Sequence, residues 1–145
     1  MKKSLIAALV LAISSPAVIA ASVFSDAKDS VEYRQAAFQL IRHNMADIGD
    51  MVKGDVTYDA DRVKERATAL ATLTTLPWYG FSVKGGDAKA EIWDNLADFK
   101  SRGEKLASDA AVLHTASLNG DQAEIRKAFG TFARNCKACH DKYKE

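Results

Sequence analysis

Apolar side chains recur at alternating intervals of three and four residues along almost the whole chain after residue 26. This spacing places side chains on one face of an α-helix, whereas a half-buried strand alternates every two residues. The chain has 145 residues but only 8 Gly and 2 Pro, which is too little turn chemistry for a many-stranded sandwich or barrel. The clearest run comprises Ile92, Leu96, Phe99, Gly103, Leu106, Ala110 and Leu113. We therefore expect an all-α fold.

Helix start and stop signals divide this periodicity into four segments, at about residues 26–53, 59–76, 87–119 and 121–143. Asp59 is placed to cap the second helix and Pro77 to end it, while Gly54 and Gly120 follow the first and third. The aromatic, glycine-containing stretch from residue 77 to 86 is predicted to be an ordered loop. Four such helices with short connections predict an antiparallel up-down-up-down four-helix bundle.

The first 20 residues have the pattern of a secretory signal peptide. Lys2 and Lys3 precede an apolar run over residues 5–13, and small residues lead to Ala20. The run is shorter than the roughly 20 residues that span a membrane. We expect removal of residues 1–20, export to the periplasm without membrane insertion, and a single domain over residues 21–145. Because the net charge is only +1, nucleic acid is not an expected partner.

Both cysteines of the chain lie in the segment Cys136-Lys137-Ala138-Cys139-His140. The spacing C-x-x-C-H is the attachment signature of c-type haem. On a helix these three functional side chains project to one side, because positions i, i+3 and i+4 share a face. The sequence therefore predicts one haem c, bound through thioethers at Cys136 and Cys139, with His140 as the axial iron ligand.

Two other interpretations of this motif stay open. The cysteines could form a structural disulfide or a thioredoxin-like redox pair, although no strand leads into this late helical position. Alternatively, zinc could bind Cys136, Cys139, His140 and either His43 or His114. Neither distant histidine lies on an inward-facing stripe, so both are expected at the surface.

Further residues are candidates for the pocket. Met45 and Met51 carry thioethers that bind iron in some proteins, but methionine at helical spacing usually fills a core. Trp78 and Phe81 lie in the aromatic loop, and we expect both to pack on the haem.

A C-terminal CKACH motif on the last helix of a four-helix bundle resembles the class II c-type cytochromes, and within them cytochrome c′. The likeness extends over the chain after residue 20. It includes the segments Tyr-Arg-Gln-Ala-Ala-Phe at residues 33–38, Leu-Pro-Trp at 76–78, Gly-Gly-Asp at 85–87 and Glu-Ile-Trp at 91–93.

The resemblance implies roles for five more residues. Phe38 stands where some members carry a methionine ligand, which implies a five-coordinate, high-spin haem with Phe38 in the distal pocket. Arg34 and Gln35 match positions that contact haem. Asp87 matches another, and its backbone N–H at the start of the third helix is the expected donor. Lys144 matches a proximal position where relatives often carry arginine.

The function that these features imply is the binding of NO and CO, with sequestration or buffering of NO in the periplasm. Enzymatic turnover is not expected, because no His or Arg is assigned beside Phe38 on the pocket stripe. The alternative is an electron carrier that exchanges electrons with redox partner proteins. The resemblance also favours a homodimer through the first two helices, where Ala36 and Leu40 provide apolar positions beside the core stripe.

Overall fold

The computed structural model describes residues 23–144, and the predicted signal peptide lies outside them. Four long helices form a bundle, which confirms the predicted all-α four-helix fold. They are α1 (Ala27–Lys53), α2 (Ala60–Leu73), α4 (Leu96–Asn119) and α5 (Gln122–Tyr143), with a short α3 (Glu91–Asp94) and a 3₁₀ helix (Pro77–Phe81) between α2 and α4. None of the helices in this part of the chain is long and apolar enough to cross a membrane.

Local capping explains where the long helices begin and end. The side chains of Asp26, Asp59 and Asp121 each accept a hydrogen bond from a backbone N–H in the first turn of α1, α2 and α5. Gly54 and Gly120 end α1 and α4 with φ values of 87° and 74°, a left-handed conformation that glycine adopts without strain. These caps produce the short connections that the sequence predicted.

The core has two parts. The larger fills the space between α1, α2, α4 and α5 with the periodic apolar stripes, and includes Met51 as a filler that is 3% exposed. The smaller consists of Ile92, Phe99 and Tyr143, with aromatic side chains of the 3₁₀ segment packed against it. Trp78 packs against both groups and connects them.

The third predicted helix differs from the prediction at its start. It was expected from Asp87, but residues 87–90 are not helical, and the helix is interrupted at Asn95, where φ is −128° and ψ is 42°. The cause is long-range pairing: Ala88 forms an isolated antiparallel bridge with Lys144. The break also turns the side chain of Leu96 away from the core. Leu96 was predicted to face inward, but it is 40% exposed.

Candidate cofactor site

A cavity of about 500 Å³ lies between α1, the 3₁₀ helix, α4 and α5. This volume is within the range of small-molecule and cofactor sites in proteins. The structure brings all nine predicted site residues to the cavity wall: Arg34, Gln35, Phe38, Trp78, Asp87, Cys136, Cys139, His140 and Lys144. Phe81 also lines it.

The two cysteines on α5 are free thiols rather than a disulfide. Burial, followed by the neighbouring Cys139 thiol, raises the pKa of Cys136 to about 11, and burial also raises the pKa of Cys139. A redox-active pair needs the opposite shift, because the thiolate is the reactive form. The electrostatics of the site therefore oppose the thioredoxin-like interpretation.

The imidazole of His140 lines the cavity from the same face of α5 as the two cysteines. Partial burial lowers its pKa, and the positive charge of Lys144 lowers it further. The neutral ring is the form that binds a metal. Of the other two histidines, His43 is exposed on α1 and His114 is half-buried on α4, and neither lines the cavity. Residues 23–144 contain no group of three His, Cys, Asp or Glu side chains arranged to hold a metal ion, which leaves zinc without a ligand set there.

Part of the cavity wall is aromatic. The Trp78 ring stacks on Phe81 with centroids 6.3 Å apart, and meets the rings of Phe38 and Phe99 edge-on at 5.9 and 5.6 Å. Gly103 on α4 permits this packing, since a Cβ atom there would lie 2.9 Å from the indole ring. The result is a rigid apolar surface suited to a flat, apolar group.

Arg34 is the most buried charged group of the cavity wall, at 3% exposed. Its guanidinium lies 4.7 Å from the centroid of Phe81 and donates hydrogen bonds to the carbonyl oxygens of Gly80, Val83 and Gly85. Burial lowers the pKa of Arg34, and no carboxylate of residues 23–144 pairs with it. Burying an unpaired charge is costly, so this site favours an anionic group within the cavity.

The other polar residues lie at the mouth. Gln35 is exposed, and the Asp87 carboxylate lies 4.0 Å from Nζ of Lys144, with both side chains more than half exposed. Because the nearest helix begins at Glu91, the expectation that Asp87 offers a backbone N–H at a helix start is wrong. Instead, the bridge between Ala88 and Lys144 holds Asp87 beside the end of α5.

Sequence reasoning missed several residues of the wall, namely Gln39, Ile41, Arg42, Ala88, Ile92, Phe99, Arg102, Leu106, Asn135 and Tyr143. The expectation that no arginine lies beside Phe38 is wrong, because Arg34 and Arg42 each lie one helical turn away on α1. The sequence could have shown this, because residues four apart lie on the same face of a helix and both arginines are four residues from Phe38. Met45, which the sequence offered both as an iron ligand and as a core filler, also lines the cavity.

These residues fit haem c. The two thiols and the imidazole share one face of α5, the aromatic wall suits a macrocycle, and the buried guanidinium of Arg34 lacks the countercharge that a propionate would supply. When bound, the haem supplies an iron centre that takes up electrons or small ligands.

Comparisons with known proteins agree with this geometry. A profile described as cytochrome c′ matches residues 29–144. Cytochrome c′ of Alcaligenes xylosoxydans is 38% identical over 124 residues, which cover 84% of this chain and 98% of that protein. The solved structure of cytochrome c prime from Shewanella frigidimarina is 42% identical, with a TM-score of 0.81 over 84% of this chain and 98% of that one.

A nitrosyl complex of a cytochrome c prime variant from Alcaligenes xylosoxidans is 37% identical, with a TM-score of 0.81, and covers 84% of this chain and 98% of that one. The matched lengths, the bundle and the α5 motif agree. The chain therefore belongs to the cytochrome c′ family, whose cofactor is covalently attached haem c.

Proposed function

We propose that this protein is a periplasmic monohaem cytochrome that binds small diatomic gases, chiefly NO and CO, at an iron with one protein ligand. Cys136 and Cys139 form the thioethers, and His140 binds the iron. Arg34 and Gln35 contact the propionates, Asp87 and Lys144 lie at the α5 side of the haem, and Trp78 packs on the macrocycle. The nitrosyl complex of a relative supports NO as the ligand.

The observation that carries this proposal is the side chain that α1 presents to the cavity at residue 38. Phe38 lines the cavity and packs edge-on against both Trp78 and Phe81, with ring centroids 5.9 and 6.3 Å away. A phenyl ring has no lone pair for a metal, so Phe38 occupies space without binding iron. A crowded, apolar pocket favours small neutral ligands over water or anions.

The arginines beside Phe38 do not make the site enzymatic in this proposal. The guanidinium groups of Arg34 and Arg42 carry N–H donors and no acceptor atom, so neither serves as a general base. Arg34 is also held by three backbone carbonyls. We therefore propose reversible binding that sequesters or buffers NO, without substrate turnover.

Gas titration of the reduced protein tests this function. We expect one CO or one NO per chain, with binding that requires no release of a protein ligand. Met45→Leu is the matched control, because it keeps the volume of a core side chain while removing the methionine sulfur at the cavity wall. Equal CO association rates in the wild type and Met45→Leu support the proposal, and a much faster rate in the variant contradicts it.

The second candidate function is electron transfer to and from redox partner proteins. The observation that favours it is the position of Met45, which lines the cavity from α1 and carries a sulfur of the kind that binds iron in electron-transfer cytochromes. If Met45 binds the iron, Met45→Leu will free that coordination position and CO will associate much faster. That result would support electron transfer and contradict the gas-binding proposal.

We also propose that two copies associate through α1 and α2. Leu40 is 52% exposed on α1 and Ala36 is exposed one turn before it, which gives this face apolar positions next to α2. We expect the wild-type protein to sediment as a dimer and Leu40→Glu to shift it toward the monomer, because a carboxylate would be buried at the contact. The control is Val112→Glu, at an exposed position on α4. A wild-type monomer, or an unshifted Leu40→Glu dimer, contradicts this interface.

A further inference from the structure

Asp98, in the first turn of α4, gathers three donors around one carboxylate. Its Oδ2 accepts hydrogen bonds from Nε of Arg102 at 2.8 Å, Nζ of Lys142 at 2.9 Å and the hydroxyl of Tyr143 at 2.5 Å. We call these four residues the Asp98 cluster. Two of its members lie in the last turn of α5, so the cluster joins the start of α4 to the end of α5.

The last turn of α5 is anchored by the side chain of Tyr143 and by two backbone hydrogen bonds. Tyr143 is 3% exposed, and its ring meets Phe99 edge-on at 5.3 Å. The carbonyl oxygen of Tyr143 accepts a hydrogen bond from the N–H of Lys89 at 3.1 Å. The N–H of Lys144 donates to the carbonyl oxygen of His140 at 3.0 Å. His140 therefore belongs to the same hydrogen-bonded turn that the Asp98 cluster holds.

We propose that Asp98 is a positioning residue for His140, acting through Tyr143 and Lys142 to hold the imidazole in one orientation toward the cavity. Asp98 does not line the cavity itself, whereas Tyr143 and Arg102 do. The same carboxylate keeps Arg102 against the wall through their ion pair. The inference rests on the proposed role of His140 as the iron ligand.

The chain provides a matched control in Asp47 on α1. Oδ2 of Asp47 accepts hydrogen bonds from Nε of Arg62 at 2.8 Å and from Nε of Arg66 at 2.8 Å, so it joins α1 to α2 as Asp98 joins α4 to α5. None of these three residues lines the cavity. Replacing Asp47 therefore shows what the loss of an interhelical ion pair does by itself, and any additional effect of replacing Asp98 can be assigned to His140.

The experiment compares Asp98→Ala, Asp98→Asn and Asp47→Ala as reduced holoproteins. One readout is the iron–histidine stretching band in the resonance Raman spectrum, and the other is amide hydrogen exchange. In Asp98→Ala we expect the band to shift or broaden, and the amides of Lys89 and Lys144 to exchange roughly tenfold faster. Asp98→Asn keeps one acceptor oxygen and is expected to lie between Asp98→Ala and the wild type. Asp47→Ala should leave both readouts unchanged.

Two results would overturn the proposal. One is an unchanged band in Asp98→Ala, and the other is an equal shift of the band in Asp47→Ala. If Asp98→Ala yields no folded holoprotein, the comparison between Asp98→Asn and Asp47→Ala decides in the same way. Absence of any iron–histidine band from the wild-type protein contradicts the proposed ligand, which separates failure of the proposed function from failure of this inference.

Discussion

Cys136→Ala and Cys139→Ala will each remove one of the two covalent bonds to haem, and the double variant will leave haem extractable by acid and acetone. Each thiol lines the cavity, and neither is engaged in a disulfide. Because haem is expected to fill the cavity between α1, the 3₁₀ helix, α4 and α5, its loss should also destabilise the bundle. Intact-protein mass spectrometry after extraction measures attachment directly.

The control for this experiment is Lys137→Ala, between the two cysteines. Lys137 is exposed and pairs with Asp141 one turn later, and an exposed ion pair of this kind contributes about 0 to 1 kcal/mol. It should retain covalent haem in full. Extraction of haem from the wild-type protein under the same conditions would refute attachment by both cysteines.

Phe38→Ala is expected to increase the rate and affinity of CO and NO binding while it lowers thermal stability. The substitution removes a ring that packs against Trp78 and Phe81 in the cavity wall, so a diatomic ligand displaces fewer packed atoms. A Phe→Ala change in a core costs about 3 to 5 kcal/mol. We expect the lower end here, because Phe38 is only half-buried and water can enter the space.

Phe38→Met makes the converse prediction. A thioether of similar reach can bind iron, so this variant should become low-spin and take up CO slowly. Phe129→Ala is the stability control, because Phe129 packs on the core near Gly49 and does not line the cavity. Stopped-flow association rates and thermal unfolding of all three variants separate the two effects. Unchanged gas rates in Phe38→Ala would mean that Phe38 does not control access to the iron.

The helices were predictable from the sequence because their determinants are local. The caps at Asp26, Asp59 and Asp121, and the glycines at residues 54 and 120, act within one turn of the helix ends that they define. The start of the third helix was not predictable by the same means. There, Ala88 pairs with Lys144, and a contact between residues so far apart leaves no local pattern.

The candidate site also has features that could be predicted from local sequence and features that could not. The spacing of Cys136, Cys139 and His140 within one helix was sufficient to predict that they share a face. The hydrogen bonds of Arg34 could not be predicted, since their acceptors are backbone carbonyl oxygens of the 3₁₀ helix and of the loop that follows it, which have no side-chain signature. Arg42 is a different case, because it lies four residues after Phe38 on α1, a spacing that was visible in the sequence but was not used to place it at the pocket.

The coordination state of the iron is the central claim, and the visible absorption spectrum of the purified protein tests it most directly. With His140 as the only protein ligand and Phe38 on α1, we expect the reduced protein to show one broad high-spin band at neutral pH, and CO to convert it fully to the low-spin form. Sharp, split low-spin bands in the reduced protein before any gas is added would contradict the account and identify a sixth ligand, with Met45 as the first residue to replace.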